Sequence, residues 1–362
     1  MAYTTIDDPS AYFKVQLYTG NGSADHAITF DDTDTDMQPD FVWIKPRSTA
    51  TEHNVYDAPR GVTWALQTHN AEVQGENNGY GWLSAFGSDG FTVVEGGSNA
   101  SRVNGDGVTY VAWCWKGGTT SGITTDGNTT ITPSGYSFNQ TAGFSVIKYT
   151  GNATSGAKLA HGLGATPEMV ICKNLDSGNS WVVGHQGADT TAPWDYGMNL
   201  DSAAARSNTA LFWNDTAPDS VNITLGSSDD NNEAAAHVAY CFNEVQGFSK
   251  FGSYTGNGNA DGAFVYLGFR PAYILIKRAD STSNWSVYDN KRPGSYNLTT
   301  IGFLRADTTI AEQTNAQIQI MSNGIKIPTT ETDLNADGGT YVYAAWAEQP
   351  FVNSNGVPCN AR

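Results

Sequence analysis

Pro39-Asp40-Phe41-Val42-Trp43-Ile44-Lys45 returns twice in this chain. The copies are Pro167-Glu168-Met169-Val170-Ile171-Cys172-Lys173 and Pro271-Ala272-Tyr273-Ile274-Leu275-Ile276-Lys277. Each reads proline, any residue, four apolar residues, lysine. Ten positions beyond each lysine stands a valine, Val55, Val183 or Val287, inside a short strand-like run. One internal offset shared by three copies marks a triplicated unit. A Tyr-Thr-Gly-Asn signature precedes each copy, at residues 18–21, 149–152 and 254–257, and an apolar run closes each unit, at 110–115, 237–242 and 341–346. From signature tyrosine to closing aromatic takes 97, 93 and 92 positions, so each unit is a domain of roughly 100 residues.

Working outward, residues 1–12 read as a polar, extended arm, 13–116 as the first unit and 117–142 as a Gly/Thr/Ser-rich linker with room for one hairpin, since Ile131 and Phe138 give it some apolar content. Residues 143–246 form the second unit, 247–350 the third and 351–362 a tail. Units two and three, almost without a linker, are expected to form a rigid pair. Short apolar runs punctuated by Gly, Asn and Asp describe strands joined by tight turns. Ser88-Asp89-Gly90 and Ser322-Asn323-Gly324 carry the strongest short hairpin signal. The expected fold is therefore all-β: three tandem antiparallel β-sandwich, jelly-roll-like repeats. No helix of three turns is expected, with single turns at most at 203–205 and 233–236. The central strand is apolar at consecutive positions, so both its faces should be covered, one by the opposing sheet and one by a loop or a neighbouring unit.

Composition narrows the function. A net charge of −17, with only 19 Lys and Arg scattered through 362 residues, argues against nucleic acid, whose backbone needs clustered cations. No apolar stretch reaches 18 residues, so no transmembrane helix is expected. The start, Met-Ala-Tyr-Thr-Thr-Ile-Asp-Asp, lacks the basic and apolar regions of a signal peptide. Cys114 and Cys241 share a slot with Ala345, and Cys172 shares one with Ile44 and Ile276; a thiol exchangeable with Ala or Ile behaves as a small core hydrophobe. Cys359 lies in the tail.

Chemistry is hard to find. Glu72 and Glu76 lie in a polar loop and read as solvated rather than as a glycan-cleaving carboxylate pair. The run of acids in 31–36 reads first as an acidic turn and second as a calcium site. The six histidines lack zinc spacing, and there is no nucleophile elbow, phosphate loop or dinucleotide fingerprint. No catalytic, cofactor or metal residue is assigned. Lys45, Lys173 and Lys277 are expected to end their strands and reach solvent or a nearby acid. Trp64, Tyr80, Trp82, Trp194 and Trp213, outside the repeat motifs, are candidates for stacking on sugars, against the plainer reading of packing.

Several stretches taken together resemble a repeated β domain in structural proteins of marine tailed bacteriophages, including cyanophages, of the tail, fibre or virion type. The carriers are residues 39–45, Val55-Tyr56-Asp57-x-x-Arg60-Gly61, Ser88-Asp89-Gly90-Phe91-Thr92 and residues 109–116. Residues 141–151 and 161–167 of unit two are similar to phage fibre and tail repeats. The likeness covers nearly the whole chain and is weakest in unit three, where Tyr343-Ala344-Ala345-Trp346 replaces the Ala-Trp-Cys-Trp core. It implies a virion structural protein assembled in the host cytoplasm, without enzymatic activity or cofactor, partnered by other virion proteins and by copies of itself. The alternative is a carbohydrate-binding module recognising a host-surface glycan; capsid decoration and glycan cleavage rank below.

Overall fold

The computed structural model describes residues 2–30, 35–76, 79–97, 102–292, 301–315 and 317–359. Each unit is built on an antiparallel sheet whose strands lie in the order opening, closing, central, companion. In unit one these are Phe13–Thr19, Thr109–Trp115, Phe41–Pro46 and Asn54–Asp57; in unit two, Phe144–Thr150, Ala236–Phe242, Met169–Asn174 and Val182–His185. In unit three they are Ser249–Thr255, Thr340–Pro350, Phe269–Arg278 and Ser286–Asp289. Registers repeat as well. Lys45 lies opposite Val111, Lys173 opposite Val238 and Lys277 opposite Val342, while Trp43, Ile171 and Leu275 face Val55, Val183 and Val287.

A smaller outer sheet covers one face of each main sheet. In units one and three it has three strands, and the two-residue turns Ser88-Asp89 and Ser322-Asn323 each close a hairpin within it. In unit two only Ala157–Ala160 and Asn222–Leu225 pair there, and the short helix Ala210–Trp213 packs beside them. Because side chains alternate across a strand, Val42 and Ile44 enter the core beneath the outer sheet, and Phe41 and Trp43 enter a second core on the opposite face.

That second core is common to all three units. The closing aromatics meet there pairwise: ring centroids are 6.3 Å apart for Trp115 and Phe242, 5.3 Å for Phe242 and Trp346, and 5.2 Å for Trp115 and Trp346. Three equivalent residues in mutual contact define a pseudo-threefold centre. The units are therefore arranged as a closed ring around one core, with every position of all three companion strands buried. The covering of the inner face comes from neighbouring units, not from a loop.

Several segments differ from the sequence-based expectation. Residues 117–142 are no free linker: Gly135–Asn139 adds a strand to the edge of the unit-two sheet, and Ile131 bridges to Leu159. Apolar Ile131 and Phe138 are the reason, both buried by this docking. The arm is not extended into solvent, since Ile6 enters the common core and the Tyr3 hydroxyl donates to Gly268 O at 2.7 Å. The tail folds back through a Val352–Pro358 bridge, and Ser354 N donates to Asp7 Oδ1 at 2.7 Å, which joins the tail to the arm beside unit three. Short helices fall at Ala210–Trp213, Asp229–Asn232 and Thr332–Asn335 rather than at 203–205 or 233–236. Thr209 and Ser228 cap the first two with side-chain oxygens, a local hydrogen bond that decides where a single turn starts.

Candidate functional site

A set of buried polar side chains and backbone groups lies at the three seams between units, and it recurs there in a cycle. Gln74 N donates to Leu175 O (3.3 Å), Arg206 N to Ala279 O (2.8 Å) and Glu312 N to Arg47 O (2.8 Å), linking one to two, two to three, and three back to one. Trp181 Nε1 reaches Gln67 O and Trp285 Nε1 reaches Asn199 O, each at 2.8 Å. In the matching place of unit one stands His53, whose Nδ1 accepts from Trp43 Nε1 at 2.9 Å. The proton is thereby assigned to Nε2, which donates to Arg305 O at 2.9 Å. Burial holds this imidazole far below its ordinary pKa, so it stays neutral.

A second cycle passes through the companion strands. Asp57 Oδ2 accepts from Arg60 Nε (2.6 Å) and from the Tyr240 hydroxyl of unit two (2.7 Å). Asp289 Oδ2 accepts from Arg292 Nε (2.6 Å) and from Trp113 Nε1 of unit one (3.0 Å). Unit two carries His185 in the same position; its Nδ1 accepts from Gly187 N, so Nε2 donates to Tyr343 O of unit three at 3.0 Å. Burial lowers the His185 pKa to about 4.

The repeated lysines do not reach solvent. Lys45, Lys173 and Lys277 are fully buried, and each ammonium donates to the next residue's carbonyl, Pro46 O, Asn174 O or Arg278 O, at 2.7–2.8 Å. Lys173 and Lys277 also cross a seam, to Ala71 O at 3.3 Å and Ala203 O at 3.2 Å. Desolvation pushes their pKa values down to about 7, 8 and 8 respectively, partly opposed by carboxylates such as Glu52, Asp201 and Asp307. A strand-ending lysine looks surface-bound in one unit alone; the neighbouring unit is what encloses it.

The other candidates separate. Trp194 and Trp213 are buried and meet edge to face at 5.6 Å in the unit-two core, so they present no ring to a sugar. Trp64 and Trp82 are half-buried on unit one, and Tyr80 is exposed with the Arg102 guanidinium 4.2 Å from its ring centre. Glu72 lies on the surface beside the seam, and Glu76 is exposed in a two-residue strand. Residues 31–34 of the acidic run lie outside the described residues. Among the described residues no group of three or more His, Cys, Asp or Glu side chains is placed to hold a metal ion. Cys114, Cys172 and Cys241 are buried free thiols, with burial raising Cys172 to about 12.

Two surface features escaped sequence reasoning. Phe264 and Tyr266 alternate outward on the outer strand Phe264–Tyr266 of unit three, 48% and 50% exposed, with Lys250 Nζ 5.4 Å from the Tyr266 ring. Their alternation around buried Val265 was the available signal. The other is a groove of about 200 Å³ in the seam between units three and one, bounded by Phe13, Val15, Ala272, Asn290 and Lys291. By contrast, the centre of the ring holds a cavity of only about 20 Å³ walled by apolar rings, too small and too dry for a ligand.

A family model, Domain of unknown function (DUF7483), matches residues 8–350. The chain belongs to the DUF7483 family. No curated protein and no solved structure matches it. The matched span takes in all three units together, as does the common core, so the DUF7483 domain corresponds to the whole ring rather than to one repeat.

Proposed function

We propose that this DUF7483 domain is a structural subunit of a tailed-bacteriophage virion, tail-associated or fibre-type, working through assembly with other virion proteins. The observation that carries the reading is where the buried polar groups go. Asp57, Asp289, His53, His185, Lys173 and Lys277 each spend a hydrogen bond on a neighbouring unit, and Lys45 is held by the carbonyl next to it. Catalysis asks for titratable groups facing an accessible cavity; a scaffold asks for rigidity, and a closed core supplies it. The phage-like stretches 39–45 and 109–116 form inner-sheet strands of that core, so the resemblance is to the parts that build the ring. Residues of the arm and of the tail pack on unit three, which leaves the outer surfaces and seams for contacts with other virion proteins. Proteomics of purified particles with a reconstruction of the particle tests this: the chain is expected at fixed stoichiometry, and its absence from particles would overturn the reading.

A second reading has its own observation. Phe264 and Tyr266, about 7 Å apart along one strand face, offer a platform on which sugar rings can stack beside the Lys250 ammonium. Glycan-array binding lost in Phe264→Ala and Tyr266→Ala, with folding unchanged, would support a receptor-binding role on the same particle.

A further inference from the structure

We infer that the groove between units three and one is a strand-addition site, taking an extended segment of a partner polypeptide antiparallel to Phe13–Thr19. The inference rests on the assembly reading above only for the partner being another virion protein. The opening strand is the edge of its main sheet in units one and three, whereas in unit two the strand Gly135–Asn139 lies outside it, and the outward backbone groups of the unit-one edge can be identified. Lys116 N donates to Tyr12 O and Gly20 N to Val108 O, so Tyr12, Lys14, Gln16, Tyr18 and Gly20 turn their backbone toward the closing strand. Phe13, Val15 and Leu17 turn theirs away from it.

The three edges are treated differently. In unit two the equivalents Phe144, Val146 and Lys148 face the added strand Gly135–Asn139, with Ser134 N donating to Lys148 O at 2.8 Å. In unit three Ser249 N donates to Val245 O, and Phe251 O accepts from Gln186 Nε2 of unit two at 2.7 Å. In unit one Leu17 O accepts from the Gln16 side chain, while Phe13 and Val15 border the groove. The added strand of unit two thus shows what this groove is shaped to receive.

Ala272 explains why the groove is open. It holds the position of Asp40 and Glu168, whose carboxylates are tied down in units one and two. Asp40 accepts from Ser137 Oγ of the added strand at 3.0 Å, and Glu168 accepts from Glu244 N at 2.6 Å. Ala272 does neither and leaves room. The register Ser137–Val146 carries over to the groove, so the residue opposite Val15 faces Ala272 and should be small and apolar. Charge sets the other end. Gly135 begins the added strand beside Pro59, and the counterpart of Pro59 is Lys291, exposed at the mouth of the groove. An incoming segment should therefore be acidic at its amino end. Main-chain bonds give such a site its affinity and the alternate side chains its selectivity.

The test uses the full chain and two blocked peptides, Asp-Asp-Gly-Tyr-Ala-Phe-Asn and Lys-Lys-Gly-Tyr-Ala-Phe-Asn, read by calorimetry and residue-resolved amide exchange. The acidic peptide is expected to bind, to slow exchange at Phe13 and Val15, and to exceed the basic one by about two- to fivefold. Lys291→Glu should reverse that preference. Ala272→Glu, which restores the carboxylate of the other units, should abolish binding without lowering the unfolding midpoint. No slowing at Phe13 and Val15 with either peptide would overturn the site. Slowing that instead follows protein concentration without peptide would make the occupant a second copy and overturn the partner. Peptide binding by a chain absent from particles would sink the virion reading alone.

Discussion

Asp57 shows how much one side chain carries. Its carboxylate neutralises Arg60, which is buried with it and also donates to Val55 O and Trp64 O, and it anchors Tyr240 across a seam. Asp57→Ala leaves a buried guanidinium without its counter-charge, and denaturant titration should record a loss of about 3–5 kcal/mol. Tyr240→Phe removes one hydrogen bond to the same carboxylate and should cost about 1.5–3 kcal/mol. The lysines give a pH signature. Lys45 has a folded pKa of about 7 against 10.5 when unfolded, so between these values the unfolded chain binds the extra proton and stability rises with pH. Comparing wild type with Lys45→Met from pH 7.5 to 9.5, the substitution should remove a slope of about 1.4 kcal/mol per pH unit. An unchanged slope would mean that Lys45 keeps its charge in the folded state.

At the scale of elements, unit two shows how one repeat departs from the others without losing the sheet. Tyr56 and Tyr288 are fully buried on the companion strands of units one and three; their counterpart is Gly184. A β-carbon there would lie 2.4 Å from the Trp194 ring and 2.7 Å from that of Trp213. Trp213, carried by the short helix Ala210–Trp213, occupies the space that a tyrosine takes elsewhere. Gly184→Ala should therefore cost about 1–3 kcal/mol by overpacking, or more if the indoles cannot shift; a neutral thermal melt would show that the indoles yield. Helix and glycine are one replacement. In the linear sequence they stand 26 positions apart, which hid the relation.

For the whole molecule, the common core makes the units interdependent. Each contributes one of the three aromatics at the centre, Trp115, Phe242 or Trp346, and a unit taken alone would expose the inner face of its main sheet. Calorimetry of the full chain should show one cooperative transition in place of three, with matching calorimetric and van't Hoff enthalpies. Residues 143–246 expressed alone should aggregate or lack cooperative unfolding, because exposed apolar area of that kind needs a partner. A stable excised unit would argue for three independent domains.

The all-β class, the central and closing strands and the two hairpins were legible because they depend on local order: alternation, turn residues and a constant offset from Lys45 to Val55 and its copies. Closure of the ring was not. A strand apolar at every position, such as Phe41–Ile44, reports that both faces are covered without saying by what. The deciding contacts join residues far apart in the chain, 176 positions for Trp113 with Asp289 and 183 for Asp57 with Tyr240. For the same reason the lysines read as surface groups: burial by a neighbouring unit leaves no local pattern. In residues 117–142 apolar Ile131 and Phe138 were the local signal, and Gly135–Asn139 pairs with the next strand in the chain. The chain's own periodicity determined what each unit is, and only tertiary packing decided that the three units share one core, since enclosure depends on which surfaces meet rather than on the order in which residues are joined.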